Sequence, residues 1–332
     1  MPANLPPQYF EAEKLYRQAK TPAEKIEALE TMLAIMPKHK GTDHLRAHLR
    51  ARMAALAQEA QRQPGGGARA ELYAVPKEGA GQVALAGPPN VGKSQLLAAL
   101  TGATPKVADY PYTTQLPQPA MMPVDNVQVQ LVDLPPLVAG ATPPWQRALL
   151  RQADLLLLVV SLAEDPLSEW ALLTEELARL RLRAVPPGAA VAAEEVSSAA
   201  PRKALLVATH SDLPEAAENL ALLQLEAGDQ LPLLAVSGVT GAGLDELKRR
   251  IFAALDVIRI YTKPPGKPVD RARPFVLPRG STVDDLAGAI HHDLRRRLRY
   301  GLLWGASGKF GGQRVGRQHV LEDEDVVELF AE

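Results

Sequence analysis

No cysteine occurs in the 332 residues, so disulfides, thiolate metal sites and thiol nucleophiles are all excluded. Long apolar runs are missing as well. The strongest one, Leu155–Val160, falls far short of the ~20 residues that a membrane-spanning helix needs. The opening MPANLPPQYFEAEK has no apolar segment behind a basic start, so no signal peptide is expected. The expectation is a cytoplasmic protein without membrane contact. Aromatic residues make up only 5%, and Trp145, Trp170 and Trp304 are too scattered to form a stacking platform between them. His44 and His48 stand one helical turn apart with no third ligand in sight, so no metal site is expected there.

What is present points to a globular protein. The 46% hydrophobic and 23% charged content is near the soluble average and supplies a core. The length implies two or three domains. A net charge of −1 hides an uneven distribution. Residues 1–80 carry 12 Lys and Arg against 9 Asp and Glu, residues 81–258 carry 12 against 19, and residues 259–332 carry 13 against 10. Basic ends flank an acidic middle, a pattern compatible with nucleic acid at the ends or with ordinary solvated helices.

The chain divides by pattern. In residues 1–80, Thr21, Pro22 and Glu24 form a capping-box start. Ile26, Leu29, Leu33 and Met36 then recur at helical spacing, and Leu45, Leu49, Met53 and Leu56 mark a second helix that ends at Pro64–Gly67. A helical hairpin is expected there. In residues 81–258, the runs QVALAG, VQVQLVDLP, DLLLLVVS, KALLVATHSD and LPLLAVSG alternate with helical stretches. That is the pattern of a mostly parallel α/β sheet with helices on both faces. Residues 184–202, rich in Ala, Pro and Glu, read as a flexible surface linker. After the Pro-rich connector that opens residues 259–332, strands around one helix, with Ser281 as its cap, form a small α+β module.

The strand QVALAG runs directly into Gly87, Pro88, Pro89, Asn90, Val91, Gly92, Lys93 and Ser94, followed by a helix beginning at Gln95. This is the strand–loop–helix setting of a phosphate-binding loop. Its glycines turn backbone N–H groups toward phosphates, Lys93 reaches the terminal phosphates, and the Ser94 hydroxyl ligates Mg²⁺. Asp133, at the end of VQVQLV, stands where a second Mg²⁺-organising carboxylate belongs, acting through water; a helix cap is the plainer reading. Thr114, with Thr113 as the alternative, can join the Mg²⁺ shell from a switch loop. Asp212 in THSD can accept two hydrogen bonds from guanine N1–H and its amine. Ser237 and Gly238 offer a backbone amide to guanine O6.

In this order the elements resemble the Obg–DRG superfamily of GTPases. GLDELKRRIF, IRIYTKP, LPRGSTVDDLAGAIHHDL, YGLLWGASGK and QRVGRQHVLEDEDVVEL resemble the DRG (developmentally regulated GTP-binding protein) branch. They imply a P-loop GTPase domain with an N-terminal helical hairpin and a C-terminal β-grasp TGS domain. The resemblance implies slow GTP hydrolysis, binding of GTP and GDP, and a K⁺ ion contacted by Asn90. It further implies a ribosome or structured-RNA partner for the TGS domain, and a possible protein partner for the N-terminal helices. Departures from the family pattern are Pro136 in place of a glycine whose N–H senses the γ-phosphate, and Thr209 and His210 in place of asparagine and lysine. Gln95 stands where a hydroxyl residue is usual. Leu137 occupies the position of the water-orienting glutamine, as this superfamily implies. The cationic set Arg295, Arg296, Arg297, Arg299, Lys309, Arg314 and Arg317 provides candidate RNA contacts, with a solvated helix face as the alternative. A non-hydrolysing guanine-nucleotide-binding scaffold is the competing reading of the whole.

Overall fold

The computed structural model describes residues 75–102, 116–189, 199–264 and 268–332, and in the N-terminal region only Leu29, Thr31, Met32 and Tyr73. Met1–Ala74 and Val75–Glu332 form separate units. In the first unit, Leu29 and Met32 are helical and buried. The rest of the expected hairpin lies outside the described residues, as do Thr113 and Thr114.

The second unit begins with an α/β layer. Its elements are β1 (Gln82–Ala86), α1 (Lys93–Thr101), β2 (Gln118–Val124), β3 (Val127–Asp133), α2 (Pro144–Gln152), β4 (Leu155–Ser161) and α3 (Pro166–Arg179), followed by β5 (Leu182–Val185), β6 (Ala200–Thr209), α4 (Ala216–Ala227), β7 (Leu233–Ala235) and α5 (Leu244–Leu255). The strands assemble in the order β2-β3-β1-β4-β6-β5, with β7 also on β6. All pairs are parallel except β2 with β3. Continuous apolar strands such as β4, buried at every position, need cover on both faces. One face packs Leu150, Trp170, Leu173 and Leu223 from α2, α3 and α4 against the sheet. The other packs Leu96, Leu100, Leu247 and Ile251 from α1 and α5. Helix α3 starts at Asp165, whose carboxylate accepts from Ser168 N–H at 3.1 Å, with Pro166 at the first helical position.

Two features differ from the sequence reading here. Strand β2 was not expected. It is the sheet's antiparallel edge, and Pro119 and Pro123 are tolerated there because both are exposed. The 184–202 segment is not wholly linker. Leu182–Val185 pair in register with Ala200–Lys203, so both ends are strand, and residues 190–198 lie outside the described set.

A second sheet follows, made from β8 (Val257–Thr262), β9 (Phe275–Pro278), β10 (Leu298–Trp304), β11 (Gln313–Val315) and β12 (Val326–Ala331), in the order β11-β10-β12-β8-β9. Only β12 with β8 is parallel. One face carries α6 (Val283–Ile290) and α7 (His292–Arg297), and Ile258, Ile260, Leu286, Leu303 and Val327 are buried between. The expected single helix is therefore two, because His291 is extended between them (φ −165°, ψ 137°). The cap of α6 is Thr282, not Ser281. Thr282 forms a reciprocal box with Asp285, while Ser281 is buried in the preceding turn. Among the described residues no helix is long and apolar enough to cross a membrane.

Candidate nucleotide-binding site

The loop after β1 is shaped by close backbone approach. A Cβ on Gly87 would lie 2.4 Å from Val159 O, which only glycine avoids. Asn90 (φ 63°) and Gly92 (φ 79°) then turn the chain into α1. Lys93 folds back over this loop, donating from Nζ to Gly87 O (3.0 Å) and Pro88 O (2.6 Å). Burial pulls its ammonium down to about 8, against the opposing attraction of Asp133 and Glu169.

Strand β3 delivers Asp133 to the same place. Ser94 Oγ donates to Asp133 Oδ2 at 2.5 Å, while Asp133 Oδ1 is buried with no hydrogen-bond partner among the described residues. Burial pushes this carboxyl above its ordinary range, opposed by the Ser94 hydrogen bond and by Lys93. A buried carboxylate oxygen left unpaired beside a hydroxyl is an unfinished donor set. Its hard-oxygen chemistry fits Mg²⁺.

The segment after Asp133 is pinned rather than free. Leu137 N–H donates to Gly87 O at 3.0 Å, and Gln146 Nε2 donates to Pro135 O at 2.6 Å. The Leu137 side chain is fully buried in the core beneath α2 and α3, and Pro136 is half-buried beside it.

At the far end of the loop, Thr209 Oγ1 donates to Val91 O (2.8 Å) and lies 3.1 Å from Val160 O. The hydroxyl thus ties the phosphate loop to β4 and β6. His210 adopts φ 59°. Its Nδ1 lies 2.8 Å from Ser161 Oγ, and its ring rests against Gly92. Asp212 is exposed, and a hydrogen bond with the Ser237 side chain holds its carboxyl below the usual range. Ser237 is buried and accepts from Thr240 N–H at 3.0 Å. Gly238 packs against the Gln95 side chain. The fold therefore brings together Gly87 to Gln95, Asp133, Thr209, His210, Asp212, Ser237 and Gly238 at or just beyond the C-terminal ends of β1, β3, β6 and β7.

Sequence reasoning missed Glu169 on α3. Its Oε2 accepts from Ser161 N–H at 2.6 Å, burial pushes it up to about 7, and it feels the charge of Lys93. Only its place in the first turn of a helix marks it in the sequence.

The cationic residues of the second sheet do not act as one group. Arg295 Nε and Arg317 both bond Asp284, at 2.7 and 2.6 Å, and Arg299 pairs with Glu332. Arg314 instead lies 3.9 Å from the ring centre of Tyr300. Arg296, Arg297 and Lys309 are exposed.

Residues 82–189 match the family described as 50S ribosome-binding GTPase, and residues 258–331 match the TGS domain. A GTP-binding protein of Methanocaldococcus jannaschii is 32% identical, with 92% of each chain covered. Developmentally-regulated G-protein 3 of Arabidopsis thaliana is 31% identical, over 92% of this chain and 98% of its own. The crystal structure of a GTP-binding protein from Pyrococcus horikoshii covers 76% of this chain and all of its own at a TM-score of 0.50 and 16% identity, a likeness of fold.

Proposed function

From the premise that this chain belongs to the DRG family of P-loop GTPases with a C-terminal TGS domain, we propose that it binds GTP and GDP at Gly87–Gln95. In this reading it hydrolyses GTP slowly in a process associated with ribosomes or structured RNA. The observation that carries the reading is the meeting of Lys93, Ser94 and Asp133, with one carboxylate oxygen buried and unpaired among the described residues.

Ser94 and Asp133 (the latter through water) would hold Mg²⁺, with Thr114 as the switch-loop contributor; the bound ion supplies charge neutralisation to the phosphates. Lys93 exchanges its two loop carbonyls for phosphate oxygens, and the partly desolvated site strengthens that contact. Asp212 selects guanine, because a base lacking the amine leaves the carboxylate underpaired. Ser237 and Gly238 lie beside it for the carbonyl edge. His210 replaces the usual lysine stem as the cover next to Gly92, and Thr209 anchors the loop.

With Leu137 turned into the core, no side chain from that position orients water. Turnover would therefore be slow, and Asn90 is the residue that would hold a K⁺ ion, which would supply part of the missing charge stabilisation. The first test is competition of a fluorescent guanine nucleotide by GTP, GDP and ATP. Preference for ATP would overturn the base assignment, and Asp212→Ala should erase the guanine preference. Single-turnover hydrolysis is expected to run faster in K⁺ than in Na⁺. Equal rates would remove Asn90 from its role.

A second reading is favoured by Pro136, which has no N–H to offer a γ-phosphate. In it the protein is a nucleotide-binding scaffold whose N-terminal region and TGS domain engage a protein partner. A measurable single-turnover rate that vanishes in Lys93→Ala rejects the scaffold.

A further inference from the structure

Helices α6 and α7 cover only one face of the five-stranded sheet. On the opposite face β10 presents Tyr300 and Trp304, whose cross-strand partners are Phe330 and Val326 on β12. At β8 this face is already occupied. Asn126, in the turn between β2 and β3, donates from Nδ2 to the Tyr261 hydroxyl at 2.8 Å, and the Arg271 guanidinium lies 5.5 Å from the Tyr261 ring centre. Farther along, Tyr300, Trp304 and Phe330 are half-buried and do not belong to the core beneath the helices.

These side chains form an ordered array. Tyr300 and Phe330 stack with centroids 4.8 Å apart and planes 9° from parallel. Arg314 lies on the other side of Tyr300, exposed and set against a ring instead of a carboxylate. Lys263 Nζ sits 4.6 Å from the Trp304 centroid while also pairing with Glu328 at 3.4 Å. On the loop whose Gly311 packs against Trp304, Phe310 is 66% exposed. Thus aromatic rings share one sheet face with the exposed Arg314 and with Lys263, whose charge is offset by Glu328. The arginines of the helical run differ: Arg295 and Arg317 are neutralised by Asp284.

We infer that this face, from Phe330 through Tyr300 and Arg314 to Trp304 and Phe310, is a binding surface for single-stranded RNA. The inference rests on the RNA-associated reading above and assigns it to a surface. Unpaired bases offer flat faces that stack on aromatic rings and on a guanidinium plane, while the phosphates between them seek the cations. A duplex hides its base faces and could use only the cations. An acidic peptide would satisfy the cations but leave the exposed ring of Phe310 without a stacking partner.

The test is fluorescence anisotropy of a fluorescein-labelled single-stranded RNA oligonucleotide titrated with the full chain at fixed salt. Phe310→Ala and Arg314→Ala should each weaken binding about tenfold. Arg314→Lys keeps the charge but loses the planar stack and should fall between wild type and Arg314→Ala. The double variant Arg296→Ala/Arg297→Ala should weaken binding by no more than about threefold, and a duplex of the same sequence should bind more weakly than the single strand. Unfolding temperatures within a few degrees of wild type verify that the variants fold. If wild type binds RNA and the helical double variant alone loses it, the sheet face is wrong and the RNA reading stands. If wild type binds guanine nucleotide but no RNA, both fail. A DNA strand of the same sequence, bound as tightly as the RNA, would overturn the choice of RNA.

Discussion

Ser94 Oγ and Asp133 Oδ2 are 2.5 Å apart at the meeting point of α1 and β3, and the second oxygen of the carboxylate is buried without a partner among the described residues. The apo protein therefore carries a buried acid whose ionisation is penalised. Burial raises its pKa above the ordinary carboxylate value, so stability is lost as pH climbs above that value, where the unfolded chain ionises more readily. Asp133→Asn removes the penalty. We expect the apo variant to be at least as stable as wild type near neutral pH, yet to lose the Mg²⁺-dependent rise in melting temperature with GDP. Thermal unfolding with and without Mg²⁺-GDP measures both. A variant that keeps the full Mg²⁺ increment would disprove the metal assignment.

Thr209 takes the place where the family pattern has asparagine, and its hydroxyl reaches two carbonyls from inside the fold. Thr209→Val keeps the shape and deletes the donor. The expected cost is about 1–2 kcal/mol of stability, with faster release of GDP because Val91 O is no longer held. Thr209→Ser should retain most of both properties. Stopped-flow release of a fluorescent GDP decides the matter: equal rates for the valine and serine variants would show that the tie does not hold the loop.

Arg259 joins the two sheets. Its side chain, 13% exposed, pairs with Asp323 at 2.8 Å, Glu324 at 3.0 Å and Asp125 at 3.3 Å. Asp323 also accepts from Arg259 N–H at 2.6 Å. Exposure ranks these contacts, since Asp323 is 34% exposed and Asp125 73%. A double-mutant cycle should give roughly 1.5–3 kcal/mol of coupling for Arg259 with Asp323. For Arg259 with Asp125 it should give at most about 0.5 kcal/mol. Comparable couplings in urea denaturation would mean that the tip of the β2–β3 hairpin is clamped more firmly than its solvation implies.

The phosphate loop and the strands that feed it were legible because their constraints are local. Gly87 and Gly92 are dictated by backbone approach and positive φ, and Asp133 is simply the last residue of an apolar run. What was not legible depends on partners distant in sequence. QPAMMPV carries two prolines that disfavour a strand until an edge position makes them harmless. The pairing of Leu182–Val185 with Ala200–Lys203 has no periodicity behind it; a short edge strand is decided by its neighbour. The proximity of Glu169 to Lys93 leaves no trace in either segment. A count of arginines was the weakest guide, because a charge run cannot reveal that Asp284 neutralises two of its members.

That carboxylate gives the last prediction. Asp284 is 10% exposed at its side chain and accepts from Arg317 at 2.9 and 2.6 Å and from Arg295 at 2.7 Å, fastening α6 to α7 and to the segment before β12. Arg317, then Arg295, hold its carboxyl below the ordinary carboxylate value, although burial pulls the other way. Asp284→Asn keeps the shape and removes the charged acceptor, at an expected cost of roughly 1.5–3 kcal/mol near neutral pH. A depressed carboxylate contributes stability in full above its unfolded pKa and loses it as pH falls through its lower folded value. The gap between wild type and variant should therefore be constant from about pH 5 to pH 8 and narrow below about pH 4. Urea denaturation at both ends of that range reads it directly. A gap that survives unchanged in acid would mean that shape, not charge, holds these helices together.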